Sequence, residues 1–157
     1  MNRYESEFKS KSCLVTGGAG FIGSNLSRYL ANIGAKVLVI DDFSTGRKEN
    51  TKDFSDLGIK LVDFDISDQK NTKELFLNVD YVFHQAAIAS VPRSIEKPIL
   101  TNKTNVKGTL SVLENSRLND VKKVVFAASS AAYGDNEISP KSESLLPLPL
   151  SPYAAQK

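Results

Sequence analysis

The residues with the most chemical potential stand near the end of the chain, where Tyr153 and Lys157 lie four positions apart. On a helix that spacing puts both side chains on one face, with Cβ atoms ~5–6 Å apart. Ser151-Pro152 just ahead reads as a helix start, serine as N-cap and proline at the first helical position. A free phenol has a pKa of ~10 and is a poor base near neutrality. A neighbouring ammonium favours the phenolate and moves that pKa toward the working pH, so the pair is suited to taking a proton from an alcohol. Y-x-x-x-K by itself recurs by chance, so its weight depends on what the rest of the chain brings beside it.

A second constellation lies near the other end, at Thr16-Gly17-Gly18-Ala19-Gly20-Phe21-Ile22-Gly23. Two glycine registers coexist, Gly18/Gly20/Gly23 and Gly17/Gly20/Gly23. Glycines in this pattern allow a sharp turn, a close approach of backbone to a pyrophosphate, and tight packing of a helix on a strand. The helix that opens there offers free N–H groups and a positive dipole end to the anion. Asp41 ends the next apolar run, near the ~20-residue spacing at which a carboxylate holds the ribose hydroxyls of NAD. Asp42 either shares that role or caps the turn. A carboxylate at this place repels a 2′-phosphate and favours NAD, while Arg47 nearby keeps NADP as the alternative. The positive charge of an oxidised nicotinamide would add to that of Lys157 in favouring the Tyr153 phenolate.

The elements that must position these groups follow from the hydrophobic pattern. Ser12–Thr16, Lys36–Ile40, Ile59–Phe64, Tyr81–His84 and Lys123–Ala128 read as short buried strands. Between them, Phe21–Ile33 carries Ile22, Leu26, Leu30 and Ile33 at helical spacing, and Asn102–Leu118 carries Val106, Leu110 and Leu113 on one face. Ser67–Leu77 reads as a helix with Ser67 as N-cap, and 42–56 as a polar loop. Alternation of this kind predicts a doubly wound α/β fold of Rossmann type, with a parallel sheet, right-handed crossovers and ligands outside the carboxyl ends of the strands. The two constellations fall at such ends.

The bulk numbers are those of an ordinary globular domain. The chain has 157 residues, 41% hydrophobic and 24% charged, with 20 basic and 18 acidic side chains interspersed. Nothing here marks a nucleic-acid partner. No apolar run approaches the ~20 residues that span a bilayer, and residues 1–11 are polar and unlike a signal peptide, so the reading is a soluble, cytosolic protein. The single cysteine, Cys13, sits in an apolar run and reads as a buried inert thiol. His84 is the only histidine. It ends an apolar strand with no ligand at metal spacing, and reads as structural, with a ring nitrogen bonded to a neighbouring backbone group.

Together the motifs resemble the extended branch of the short-chain dehydrogenase/reductases, within the NAD-dependent epimerase/dehydratase family. The resemblance rests on Thr16–Gly23, on Asp41-Asp42-Phe43-Ser44-Thr45-Gly46, on Asp65-Ile66 and His84-Gln85-Ala86-Ala87, on Asn105, on Ser129-Ser130 through Tyr133-Gly134-Asp135, and on Tyr153 with Lys157. It covers nearly the whole chain after Lys11, leaving residues 1–11 as a polar lead-in to an NAD(P)-binding domain over 12–157. The stretches His84–Ser94 and Ser151–Ala154 look most like the 4-epimerases of UDP-N-acetylglucosamine and UDP-glucose.

The resemblance implies a set of roles. Gly17, Gly20, Phe21, Ile22 and Gly23 would cradle the phosphates of NAD. Asp41, Asp42, Ser44, Thr45 and Gly46 would hold its ribose, and Asp65 and Ile66 would flank adenine. Gln85, Ala86 and Ala87 would line the coenzyme after strand four, and Asn105 would brace the loops around it. Ser129, Tyr153 and Lys157 would be catalytic, with Ser90, Ser129, Ser130 and Tyr153 facing the UDP-sugar. On local sequence alone, the lesser reading of Ser129 is a serine satisfying strand-end backbone groups. The related 4,6-dehydratases carry two acids where this chain has Ser130 and Ala131. Lacking them, the chain points to epimerisation through a transient 4-keto sugar, ahead of dehydratase, reductase or decarboxylase chemistry and of a non-catalytic NAD-binding module. Ala131 and Ala89 replace a common serine and a usual glycine of the close relatives, which leaves the N-acetyl preference open. The chain stops at Lys157 within a helix, whereas family members continue into a substrate domain. The expectation is a truncated Rossmann domain with little or no activity alone and loosely anchored from Leu145 onward. A full-length relative would form a homodimer through the helices bearing Asn105 and Tyr153.

Overall fold

A computed structural model of the chain describes residues 3–68 and 73–157, with side chains from residue 5 onward in the first stretch. Five parallel strands, β1 Ser12–Thr16, β2 Lys36–Asp41, β3 Lys60–Asp63, β4 Tyr81–His84 and β5 Lys123–Phe126, form one sheet in the order β3-β2-β1-β4-β5. The chain runs outward from β1 through β2 to β3, then crosses back to lay β4 on the other side of β1, pairing Thr16 with His84. This reversal opens a crevice between the ends of β1 and β4, where a doubly wound sheet binds its ligands.

Period-two alternation sorts the apolar side chains onto two faces. Cys13, Val15, Val37, Val39 and Phe83 pack with Leu30, Phe54 and Ile59 on one. Leu14, Ile40 and Val82 pack with Ile66, Phe76, Val79 and Val112 on the other. Because both faces are covered, the strands read as near-continuous apolar runs. Cys13 is fully buried and desolvation pushes its thiol up to about 12, so it stays protonated.

The helices fall largely where the periodicity puts them. Helix α1, Arg3–Phe8, lies in the polar lead-in, and its Phe8 meets Tyr81 edge-on at 5.0 Å. Helix α2, Phe21–Asn32, follows the glycine loop. The helix expected over 67–77 falls partly on 69–72, outside the described residues; the remainder holds one 3₁₀ turn, Lys73–Phe76. Helix α3, Val91–Glu96, was not legible as periodicity, although Ser90 caps it and Pro92 sits in its first turn.

The long helix starts four residues earlier than expected. Helix α4, Pro98–Asn102, continues through a π-turn, Lys103–Gly108, into α5, Thr109–Leu118. Val106, Leu110 and Leu113 do share a face, but it points outward. The face on the sheet carries Thr101, Asn105, Ser111, Asn115 and Ser116 around a single apolar plug, Val112. Small polar side chains let this helix lie close, and most of their polar atoms bond within it, as in Ser116 Oγ donating to the Val112 carbonyl at 2.7 Å and Asn115 Nδ2 to that of Ser111 at 2.9 Å. Helix α6, Pro152–Gln156, ends the described chain.

Candidate active site

The glycine loop is fixed by contacts that admit no side chain. Gly17 leaves β1 at φ +70°, and a Cβ there would stand 2.6 Å from the Ala86 nitrogen. Gly23 lies so close to the Gly17 carbonyl and to Gly18 Cα that α2 could not start here with any larger residue. Gly18 instead turns onto Val39, so Gly17, Gly20 and Gly23 are the register that opens on the crevice. Phe21 and Ile22, in the first turn of α2, are exposed at its mouth, where N–H groups lack intrahelical partners.

Asp41 ends β2 nearly buried. Its Oδ2 accepts from Ala19 N at 2.9 Å and its Oδ1 from Phe43 N at 2.8 Å. Burial raises its pKa, against the lowering effect of these two amides; the charges of Asp42 and Asp63 add to the rise. Gly46 packs on the same carboxylate, where a Cβ would stand 2.6 Å from Oδ1. Asp42 is exposed and bonds Ser44 through both its amide and hydroxyl, the geometry of a turn cap. Asp42, Ser44 and Thr45 line one end of the crevice with Ile40, Phe64, Ile66 and Thr104. Asp65 sits beside it, bonded to Ser67 N and paired with Lys103 at 2.9 Å. Burial pushes the Asp65 carboxyl up, but the bonds and charge of Lys103 together with Ser67 outweigh this and hold it below the usual range.

The other end of the crevice gathers Tyr153 and Lys157 beside Gly20, Phe21 and Gly23, with Gln85, Ala87, Ala89, Ala127 and Ala128. Ser151 caps α6 by accepting from Ala154 N, and Ser94 of α3 accepts from Tyr153 N at 3.0 Å. The Lys157 ammonium lies over the Phe126 ring, 4.4 Å from its centre, and burial lowers its pKa. Helix α6 is thus anchored more firmly than expected of the segment from Leu145 onward. Leu146, Leu148 and Leu150 before it are exposed.

The three serines assigned to the sugar adjoin Ala89 and Ala128 of the crevice in sequence. Ser129 accepts from Ala131 N at 3.2 Å and caps the 3₁₀ turn Ser130–Tyr133, Ser130 is exposed, and Ser90 caps α3. Asn105 lies behind the crevice wall at 2% exposure. Its Oδ1 accepts from Ile88 N at 2.8 Å, and its Nδ2 donates to the Ile88 carbonyl and to Gln156 of α6.

His84 departs from its expected bonding. Both ring nitrogens meet side-chain hydroxyls, Nδ1 with Thr16 at 2.6 Å and Nε2 with Thr109 at 2.8 Å, and neither meets a backbone group. The partners lie 68 and 25 positions away, out of reach of local sequence. The crevice residues with no prior signal are apolar or small: Ile40, Phe64, Thr104, Ala127 and Ala128. A strand end at a switch point was the one clue to them.

Comparison with known proteins fits this geometry. The family described as "NAD dependent epimerase/dehydratase family" matches residues 13–157. A putative UDP-glucose 4-epimerase of Methanocaldococcus jannaschii is 39% identical over 146 residues, 92% of this chain and 47% of its own length. UDP-glucuronic acid decarboxylase 1 of Xenopus tropicalis is 38% identical over 141 residues, 90% of this chain and 32% of its own. Among solved structures, the UDP-N-acetylglucosamine 4-epimerase of Methanobrevibacter ruminantium in complex with UDP-N-acetylmuramic acid superimposes with a TM-score of 0.89 at 40% identity, covering 94% of this chain and 47% of that one. The Thermus thermophilus UDP-glucose 4-epimerase complexed with NAD gives 0.85 at 40%, covering 93% and 47%. The chain spans about a third to a half of the length of these relatives. With motif, topology and match in agreement over residues 13–157, the chain belongs to the NAD-dependent epimerase/dehydratase family.

Proposed function

We propose that residues 12–157 are the NAD-binding domain of a nucleotide-sugar 4-epimerase acting on a UDP-hexose. The observation that carries this reading is one crevice in which a Cβ-free glycine cradle, the Asp41 carboxylate and the Tyr153–Lys157 pair all open together. The residues fit the coenzyme on that ground. Gly17, Gly20, Phe21, Ile22 and Gly23 would meet its pyrophosphate. Asp41, with Asp42, Ser44, Thr45 and Gly46 shaping the turn, would meet the adenosine ribose. Asp65 and Ile66 would flank the adenine. Gln85, Ala86 and Ala87 would line the nicotinamide end, and Asn105 would hold that loop.

Bound NAD would supply the acceptor and donor for the hydride at C4 of the sugar. The remaining chemistry belongs to the chain. Tyr153 as phenolate takes the proton of the sugar 4-hydroxyl and later returns it. Lys157, at the same end of the crevice, would hold the nearby ribose. Ser129 contributes a hydroxyl to the reacting oxygen once the sugar is bound. Ser130 and Ala131 offer no acid for water loss, which supports epimerisation over dehydration.

A second reading has a specific observation behind it, the 38% identity to a UDP-glucuronic acid decarboxylase. The same C4 oxidation on a sugar with a C5 carboxylate makes a β-keto acid, which loses carbon dioxide readily. Incubating the polypeptide that carries this segment with UDP-glucose, UDP-N-acetylglucosamine and UDP-glucuronic acid separates the two, by interconversion or by gas release. Tyr153→Phe should lower either turnover roughly 10²–10⁴-fold. Stabilisation of the folded protein by NAD should persist in that variant at ~2.7 kcal/mol for coenzyme at 100 times its Kd. Unchanged turnover would remove Tyr153 from the mechanism. Stabilisation without turnover in the wild-type protein would leave a coenzyme-binding module. A homodimer through the outward face of α4 and α5 fits the exposed Ile99, Val106, Leu110 and Leu113.

A further inference from the structure

Donor and acceptor counting around His84 fixes more than its location. Thr109 has one hydroxyl proton, and it donates that proton to the Asn105 carbonyl at 2.6 Å, an oxygen that can only accept. Thr109 Oγ1 must therefore accept from His84, so Nε2 carries the ring proton. Nδ1 is then bare and accepts from the Thr16 hydroxyl, whose oxygen in turn accepts from Ala86 N at 3.3 Å. The chain of bonds has one direction throughout: Ala86 amide to Thr16, Thr16 to His84, His84 to Thr109, Thr109 to Asn105. A second ring proton would break it, because Thr16 would then receive from two donors with its own proton displaced. Stacking of the ring on Phe126, centroids 5.6 Å apart, closes its remaining face.

Both ends of this chain of bonds act on the loop that follows β4, at Ala86 and, through Asn105, at Ile88. Ala86 belongs to the loop packed against Gly17, where the coenzyme cradle begins. Asn105 belongs to the π-turn, and its side chain reaches back to Ile88 and on to Gln156, which donates to Thr101 at 3.1 Å and seats α6. We infer that His84, as the neutral Nε2–H tautomer, is a positioning residue that holds the loop 85–88 at two points, Ala86 through Thr16 and Ile88 through Thr109 and Asn105, and so fixes where that loop stands in the coenzyme crevice. The coenzyme arm of this inference rests on the function proposed above; the tautomer arm does not.

Both arms can be measured on this chain, in which His84 is the only histidine. Long-range ¹⁵N–¹H spectra of ¹⁵N-labelled protein at neutral pH should show one imidazole with Nε2 protonated and Nδ1 bare. Thr109→Val, which removes the acceptor, should shift the ring toward Nδ1–H, while Thr109→Ser keeps the wild-type pattern. NAD affinity by calorimetry should fall about tenfold in Thr109→Val and recover in Thr109→Ser. An Nδ1–H ring or an imidazolium in the wild-type chain overturns the inference, and so does wild-type NAD affinity in a folded Thr109→Val. If the wild-type chain shows the Nε2–H ring but binds no NAD, the proposed function fails; the bond direction stands, and the claim about the loop's place in the coenzyme crevice is overturned.

Discussion

The two ends of the crevice are built differently. At the Asp41 end, backbone meets backbone or buried carboxylate. Gly17 and Gly23 touch the main chain, and Asp41 is held by two amides and packed against Gly46. Loop 42–58 is pinned to α2 by the bidentate Arg28–Asp53 pair and to the glycine loop by Asn50, which donates to the Ala19 carbonyl. At the Tyr153 end, a five-residue helix rests on a few side-chain bonds, and the segment leading to it exposes three leucines. The first end is shaped before any ligand arrives. The second leaves Ser129 engaged as a turn cap and apolar surface uncovered, so it has more to gain from whatever binds or packs there.

Four substitutions test that contrast. Gly23→Ala should have the largest effect, because the new methyl meets main chain that cannot give way. We expect a loss of about 3 kcal/mol, lowering Tm by roughly 6–12 °C in thermal melts, with NAD binding abolished. A loss under ~1 kcal/mol would mean the Asp41 end is softer than described. Gly134→Ala should separate the two ends. Gly134 holds φ +60° and ψ −145°, and a methyl there runs into the Leu148 carbonyl. Strain of ~1–3 kcal/mol should be relieved by detaching the leucine segment, seen as faster proteolysis and hydrogen exchange over 145–150. Faster exchange in β1 or α2 instead would contradict the separation.

Asp41→Asn addresses charge at the rigid end. Since the folded carboxyl has a raised pKa, the native state binds more protons than the unfolded chain above the ordinary aspartate range. Asp41 therefore contributes stability at low pH that is lost as pH rises through its folded pKa. The asparagine variant should lack that falling component. Asp65, held low by Lys103 and Ser67, has the opposite sign and loses its contribution as pH falls. Lys103→Met should have the smallest effect, under ~1 kcal/mol by melting, because both partners are more than a third exposed. A larger loss would show that the pair helps to close the Asp41 end of the crevice.

What could be read from the sequence divides along the same line. The turn from Thr16 to Gly23 and the acid at Asp41 were legible because each follows from a local steric or electrostatic need at fixed spacing. So was the start of α6, from Ser151 and Pro152. Helix α3 was missed because its six residues carry no apolar period. The long helix was recognised by Val106, Leu110 and Leu113, yet periodicity reports only that a face is apolar, not what covers it. The sheet-facing side, built from Thr101, Asn105 and Ser111, carries no hydrophobic signal. The partners of His84 depend on strand order and on the π-turn, which bring Thr16 and Thr109 to the ring from distant segments.

That π-turn has a consequence for how the helix can change. A wide turn behaves as one surplus residue absorbed in an otherwise regular coil. Rewinding 103–108 to even pitch with every residue kept would swing everything beyond it by about 100°. Val112 would leave its seat under the sheet, and Thr109 would leave the imidazole. Regularity would improve and the crevice would lose its wall, so the width of this turn is constrained as tightly as the identity of its residues.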